Sequence, residues 1–455
     1  MSSVKFLLPV GVLSLAGCVT ANPRAQLPAL QSQLSSRVDA PVAWPITAEE
    51  REQTDASVRD LLSRDLTVES AVKIALLNNR SLRATFEELG LSQADLAAAT
   101  RLSNPTLSAQ LRWPQHAPRG PDAEFALTAP LLESILLPLR RRLVEEQVAQ
   151  TQRRIAYDVL ALVAEVRAAA YGVLAQQEIV LRLSELAQAT TAAADLAHRQ
   201  FEAGNIARLN LAEAEAGAQQ AHLEVMQAAA EARSARERLS RWLGLTGEQT
   251  HWRLAGELPP LPANDSSGPG LEALAIRERL DLAATWSQVA TAAAALKQRL
   301  QTRYLPGTVD LGIDTERNPD GSRVTGPRLD LQLPIFDQGQ PEIARLAGRL
   351  RQAQAGAEAL AADIGSEVRS ACDRVTAARA TAEYFQTTLL PQRRLILQEM
   401  LLHYNAMQRS PYEILLAKEQ LQTTERASVE ARREYWLAHT ELERAVGGRL
   451  PDAHP

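Results

Sequence analysis

Apolar residues recur through the middle of this sequence at intervals that only long helices satisfy. Stepping by seven from Val159 meets Val166, Val173, Val180, Ala187, Ala194 and Phe201 without a polar residue. A second run advances in alternating threes and fours from Leu211 through Ala214, Ala218, Ala221, Val225, Ala228, Ala232, Ala235 and Leu239 to Trp242. A sustained period near 3.5 predicts two long helices packed as an antiparallel coiled coil. The pattern then returns about 200 residues later. Val368, Val375, Ala382, Leu389 and Ile396 form the heptad ladder, and Ile414 to Ala445 form the returning seam. A helix from near Arg140 to Phe201 would extend roughly 90 Å at about 1.5 Å per residue, more than a small domain can contain.

Ahead of each long helix the period changes from helical to two. Leu107, Ala109 and Leu111 alternate with Ser108, Gln110 and Arg112, and Phe125–Ala129 follows a Pro/Gly loop from Pro114 to Pro121. In the second copy Val309, Leu311 and Ile313 alternate with Asp310, Gly312 and Asp314. Leu329, Leu331 and Leu333 alternate with Asp330 and Gln332. Asn318-Pro319-Asp320-Gly321 supplies the turn between them. An opening helix is predicted from Thr67 to about Ser103, capped by Thr67 or Ser70 and stopped by Asn104-Pro105.

The predicted fold class is mainly α with a small β part. Long antiparallel helical hairpins arise from an internal duplication, with four short strands per chain; the trimeric α/β barrel to which these strands would contribute is what the family resemblance given below implies. The expected divisions are a signal peptide (1–17), an extended N-terminal segment (18–65), acylated if the lipobox resemblance given below holds, and a first repeat (66–258). A linker rich in proline and glycine (259–270), a second repeat (271–447) and a tail (448–455) follow. Four strands cannot close a barrel alone, and an open edge cannot sit in lipid. Either several protomers pool their strands across a membrane, with Asp310, Asp314 and Asp330 facing water, or the strands form small soluble hairpins packed on the helices.

Composition narrows the function. Basic residues number 49 and acidic residues 54, a net charge of -5, so a sequence-independent nucleic-acid binder is disfavoured. Aromatics are 4% and alanine fills much of the apolar content, which suits closely approaching helices. Two cysteines and seven scattered histidines provide no disulfide framework and no HExxH metal site. No nucleophile–base grouping or glycine-rich phosphate loop is present, so neither an enzyme nor a cofactor is expected. Cys372 reads as a small buried residue. His198 and His403 near the hairpin turns read as surface histidines or as pH sensors.

Met1–Lys5, the apolar run Phe6–Leu15 and Ala16-Gly17 form a secretory signal too short to span a bilayer. Leu15-Ala16-Gly17-Cys18 resembles the bacterial lipobox, which implies a covalent lipid on Cys18. Val19, where an aspartate would retain the protein at the inner membrane, implies the outer membrane. The mature chain as a whole resembles the TolC-type outer-membrane efflux family. The resemblance is carried by Leu66–Ala71 with Ala75–Arg83, by Leu333–Gln340 at a strand-to-helix junction, and by Phe201–Gly204, Tyr404–Ala406 and Tyr412–Leu415 at the hairpin turns.

That resemblance implies a homotrimer with a twelve-stranded barrel in outer-membrane lipid and a twelve-helix barrel in the periplasm. It also implies docking to a periplasmic adaptor protein and an inner-membrane pump, which supplies the energy. Gly204, Arg208, Asn210, Arg409 and Glu413 then fall at the periplasmic gate. Glu413 would form an acidic ring attracting cations, or is a solvated acid favoured by its helix start. Arg208 and Arg409 would pair with acids between hairpins, or are exposed. Pro130–Arg140 departs from the junction pattern of the family, and Arg140-Arg141-Arg142 fits either lipid headgroups or a solvated helix start. The rival function is a periplasmic adaptor lipoprotein with coiled-coil hairpins and no pore; a lipid-tethered scaffold is the third class.

Overall fold

The structure, a computed structural model, describes residues 22–38, 40–113, 115–116, 121–263 and 270–450. The signal peptide, Cys18, the centre of the linker and the last five residues lie outside the described residues. The chain divides into two compact units. Of the described residues, one includes 89–148 and 305–336; the other comprises 26–88, 149–304 and 337–450. Each repeat contributes to both.

The helical unit begins with α1 (Leu27–Ser35) and α2 (Ala48–Leu62). The segment 18–65 is therefore not extended throughout, as its prolines suggested. Pro28 lies in the first turn of α1, where its missing N–H is no loss. Thr47 and Glu50 form a reciprocal capping box that starts α2. Trp44, between them, stacks on Phe86 at 6.0 Å and donates its indole N–H to Glu87 Oε1 at 3.1 Å.

The opening helix of each repeat is two helices, not one. In the first copy α3 (Val68–Asn78) is capped by Thr67, with Ser70 returning the bond, and α4 (Arg80–Ala99) follows a break at Asn79. Asn79 adopts ψ 120°, and its carboxamide oxygen accepts from Leu82 N–H at 2.9 Å. The Asn78 and Asn79 amides donate to Leu243 O, Gly244 O and Trp242 O at 2.8–3.0 Å. These carbonyls end α6 (Arg208–Leu243), which is preceded by α5 (Leu131–Glu202).

The second copy repeats the device with different chemistry. α7 (Leu271–Glu278) and α8 (Leu280–Gln301) break at Arg279, whose side chain is 3% exposed. Arg279 pairs with Asp281 at 2.6 Å and with Glu367, and donates to Ala445 O at the end of α11 (Pro411–Val446). Both returning helices finish on a left-handed glycine, Gly244 (φ 71°) and Gly447 (φ 93°). A Cβ on Gly244 would lie 2.6 Å from Asn78 O, so the break and the cap fit only with glycine there.

All ten positions of each returning seam are buried or half-buried, as the three-four spacing requires. The heptad ladder of α5 departs from expectation. Val159, Val166 and Val173 are buried, but Val180, Ala187 and Ala194 are half-buried and Phe201 is exposed; Ile179, Leu183, Leu186 and Ala197 replace them. A strict seven-residue step drifts by about 20° per heptad on a straight α-helix, so a long ladder rotates off the contact face.

α5 also starts at Leu131, directly after a strand, rather than near Arg140. Its second-copy counterpart is interrupted: α9 (Gln340–Tyr384) passes through a π-helical turn, Phe385–Leu389, into α10 (Leu390–Asn405). The cause is an inserted residue. Glu165 and Glu367 stand 202 positions apart, while Phe201 and Tyr404 stand 203 apart. A π turn absorbs one extra residue without ending the helix. Past it the ladder weakens, with Leu389 and Ile396 only half-buried.

The other unit is built on one antiparallel sheet of four strands in the order β1 (Thr106–Arg112), β2 (Asp122–Pro130), β3 (Val309–Arg317) and β4 (Arg323–Leu331). β2 pairs with β3, so the sheet joins the two repeats. Leu333, expected in the last strand, lies beyond its end.

Candidate functional site

The sheet separates polar from apolar side chains completely enough to define two surfaces. Side chains alternate along each strand and directly opposed residues share a face. The register Leu107–Leu127–Ile313–Pro327 therefore defines one face, and Ser108–Ala126–Asp314–Gly326 the other. The first carries Leu107, Phe125, Leu127, Leu311, Ile313 and Leu329, all exposed. An aliphatic face that large on a four-stranded sheet marks a site of contact with another apolar phase.

The opposite face is acidic. Asp122, Glu124, Asp310, Asp314, Glu316 and Asp330 share it with Arg112 and Arg328. Arg112 reaches Glu124 at 3.3 Å and Asp122 at 3.4 Å; Arg328 reaches Asp330 at 2.9 Å and Glu124 at 3.5 Å. Asp310 is directly opposed to Asp330, and Asp314 lies on the same face. The structure thus brings the three aspartates singled out in the sequence onto one surface. Gly312 lies between Asp310 and Asp314 along β3, where a Cβ would come within 2.4 Å of Leu127 O. Among the described residues, no strand pairs with the outer edge of β1 or of β4.

The hairpin tips lie in the helical unit. Gly204 turns the chain after α5 with φ 73°; Arg208 and Asn210 follow, exposed, in the first turn of α6. In the second tip the residue in the left-handed conformation is Met407 (φ 59°). Pro411 then begins α11 and Ser410 caps it, with Glu413 closing the capping box. Glu413 Oε2 accepts from Ser410 N at 2.8 Å and Oε1 accepts from Arg409 Nη1 at 2.7 Å. The Ser410 backbone N–H, followed by Arg409, holds the Glu413 carboxyl below the usual glutamate range. Both oxygens are engaged within their own tip, which suits the helix-start reading of this acid. His403 Nδ1 lies 2.7 Å from Gln408 Oε1 in the same turn, and His198 Nε2 lies 3.4 Å from Glu202.

Between the tips runs a groove of about 440 Å³ lined by Thr190 and Ala193 of α5, Asn210 and Glu213 of α6, and Tyr412 and Glu419 of α11. Tyr412 also donates to Gln200 Oε1 of α5 at 3.2 Å. Sequence reasoning placed Asn210 at the tip but did not single out Glu213 or Glu419. Farther along α11, Arg432 Nη2 donates to both carboxylate oxygens of Glu178 of α5, at 2.8 Å each, and Tyr171 packs on Trp436. Burial pushes the Tyr171 phenol up to about 12, against the opposing pull of Arg167. Cys372 is half-buried against the core of the second repeat, and burial raises its thiol.

No described helix is long and apolar enough to cross a membrane, and no described His, Cys, Asp or Glu cluster has metal-binding form. No family profile matches the sequence. The outer membrane channel CmeC of Campylobacter jejuni superimposes with a TM-score of 0.73 at 14% identity, over 91% of this chain and 90% of that one. The chain has the TolC-type outer-membrane channel fold. A membrane protein of Pseudomonas aeruginosa superimposes with a TM-score of 0.71 at 20% identity, over 90% and 98% of the two chains. In sequence the chain is 27% identical over 336 residues to the cobalt-zinc-cadmium resistance protein CzcC of Cupriavidus metallidurans, which covers 72% of this chain and 77% of CzcC. The likeness in structure is one of fold, and the likeness in sequence is to a metal-resistance protein.

Proposed function

We propose that this chain is the outer-membrane exit duct of a multipartite efflux system, working as a homotrimer with a periplasmic adaptor and an inner-membrane pump. The two-faced sheet with open edges carries the reading. Its apolar face meets lipid, its acidic face meets water, and three copies joined edge to edge leave no unpaired strand in the bilayer. Asp310, Asp314 and Asp330 then line the lumen, and Gly204, Arg208, Asn210, Arg409 and Glu413 sit at the periplasmic gate. The duct has no chemistry of its own and needs no cofactor; transport energy comes from the pump. A covalent lipid on Cys18 tethers the chain.

The acidic face favours positively charged cargo, as the likeness to CzcC also suggests. Two measurements test the proposal. Purified protein reconstituted in a planar bilayer is expected to give cation-selective conductance from a trimer; a non-conducting monomer would favour the adaptor or scaffold readings instead. Replacing Cys18 by serine is expected to abolish labelling with palmitate, and retained labelling would remove the tether.

A further inference from the structure

We infer that the lipid-contacting surface continues past the strand ends onto a belt formed by Leu102, Leu131, Ile135, Leu333, Ile335 and Phe336, seated in the acyl chains of the periplasmic-side leaflet. This rests on the reading of the sheet as part of a membrane barrel. The four strands meet their flanking segments at a single end of the sheet, since Thr106 is opposed to Thr128 and Val309 to Leu331. Each belt residue lies within seven positions of that end, and each is exposed, Ile135 by 64% and Phe336 by 97%.

Strand length is the first argument. A nine-residue strand tilted by about 40° rises only roughly 22 Å, and a seven-residue one roughly 17 Å, against an apolar band of about 25 Å. The usable length is shorter still in the second repeat. On its apolar face Thr315 opposes Thr325 and Arg317 opposes Arg323, so hydrocarbon contact ends near Ile313. The deficit is met at the other end of the sheet, where the belt lies.

The second argument is how α5 begins. Its polar residues there are occupied within the chain: Glu133 accepts from Ser103 Oγ and is approached by Arg140, and Ser134 Oγ donates to Pro130 O at 3.1 Å. Leu131 and Ile135, one turn apart, are left outward. β2 is an inner strand, so this helix start springs from the middle of the sheet rather than from the edge where a neighbouring copy would join. Arg140 to Arg142 lie roughly 14 Å or more farther along at about 1.5 Å per residue, which sets the polar border of the belt at phospholipid headgroups.

Spin labels decide the matter. Leu329→Cys, Ile135→Cys, Phe336→Cys and Arg142→Cys are placed singly in a Cys372→Ala background. The full chain is reconstituted in vesicles of phosphatidylethanolamine and phosphatidylglycerol. Labels at 329, 135 and 336 are expected to collide several-fold more with oxygen than with a water-soluble nickel complex, with the order reversed at 142. An oxygen-accessible label at 329 with nickel-accessible labels at 135 and 336 would overturn the belt while leaving the barrel intact. Labels at 135 and 336 shielded from both probes would mean that protein covers them, which also overturns it. A nickel-accessible label at 329 would remove the barrel and the belt together.

Discussion

Gly204 and Met407 occupy equivalent turns in the same left-handed conformation, and only one of them is suited to it. The left-handed region costs a side-chain-bearing residue about 1–2 kcal/mol. Met407→Gly is therefore expected to stabilise the second tip against local opening by about 1 kcal/mol, read as slower amide exchange over residues 403–411. Gly244→Ala acts in the opposite sense. Its Cβ would strike Asn78 O, and a loss of about 2–3 kcal/mol is expected in the unfolding midpoint. Glu413 adds a pH dependence. Its carboxyl is held below the ordinary range in the folded tip, so its stabilising effect is present at neutral pH and is lost as pH falls below 4.5 through the lowered value. Amide protection at residues 412–414, meaning exchange corrected for its intrinsic pH dependence, should fall over that range, and in Glu413→Gln it should be low and flat with pH. A seven-residue spacing shows where a side chain lies on a helix, but a carboxylate tied to its own cap and one directed into a pore have the same local sequence. That is why the tip acid read two ways.

At the scale of elements, the helical seams and the strands were legible because each repeats a period many times. Ten consecutive seam positions cannot align by accident, and the alternation of β3 predicts its two faces before any partner is known. The breaks at Asn79 and Arg279 were not legible. Neither residue is a helix breaker, and each break is stabilised by carbonyls some 165 positions later in the chain, supplied by tertiary packing. The π turn was legible but easily missed, since the change in repeat spacing from 202 to 203 is a single residue. It makes a clear prediction. Deleting Thr387 should convert Phe385–Leu389 to ordinary α-helix with little change in the unfolding midpoint. Deleting Ala361 from the uninterrupted part of α9 should turn every later seam residue by about 100° and abolish folding.

For the whole molecule, the duplication matters through the sheet, where β2 of one repeat hydrogen-bonds β3 of the other. Neither repeat alone holds a compact unit, so separately expressed halves are expected to remain unfolded by circular dichroism until mixed. The polar face gives the molecule its electrical character. Changing Asp310, Asp314 and Asp330 together to asparagine should lower the ratio of cation to anion permeability in single-channel reversal potentials. Those aspartates were recognisable from alternation alone. The opposing positions of Glu124 and Glu316 were not, because they depend on the pairing between repeats.

The bare outer rims of β1 and β4 dictate an order of events. A solitary chain entering hydrocarbon would carry two rows of unsatisfied amides and carbonyls with it, so subunits of the proposed trimer would have to find one another while still in water. Entry should then slow far more steeply than in proportion when the supply of chains is diluted, and a shortage of newly exported protein would leave stranded, protease-sensitive single chains rather than smaller pores.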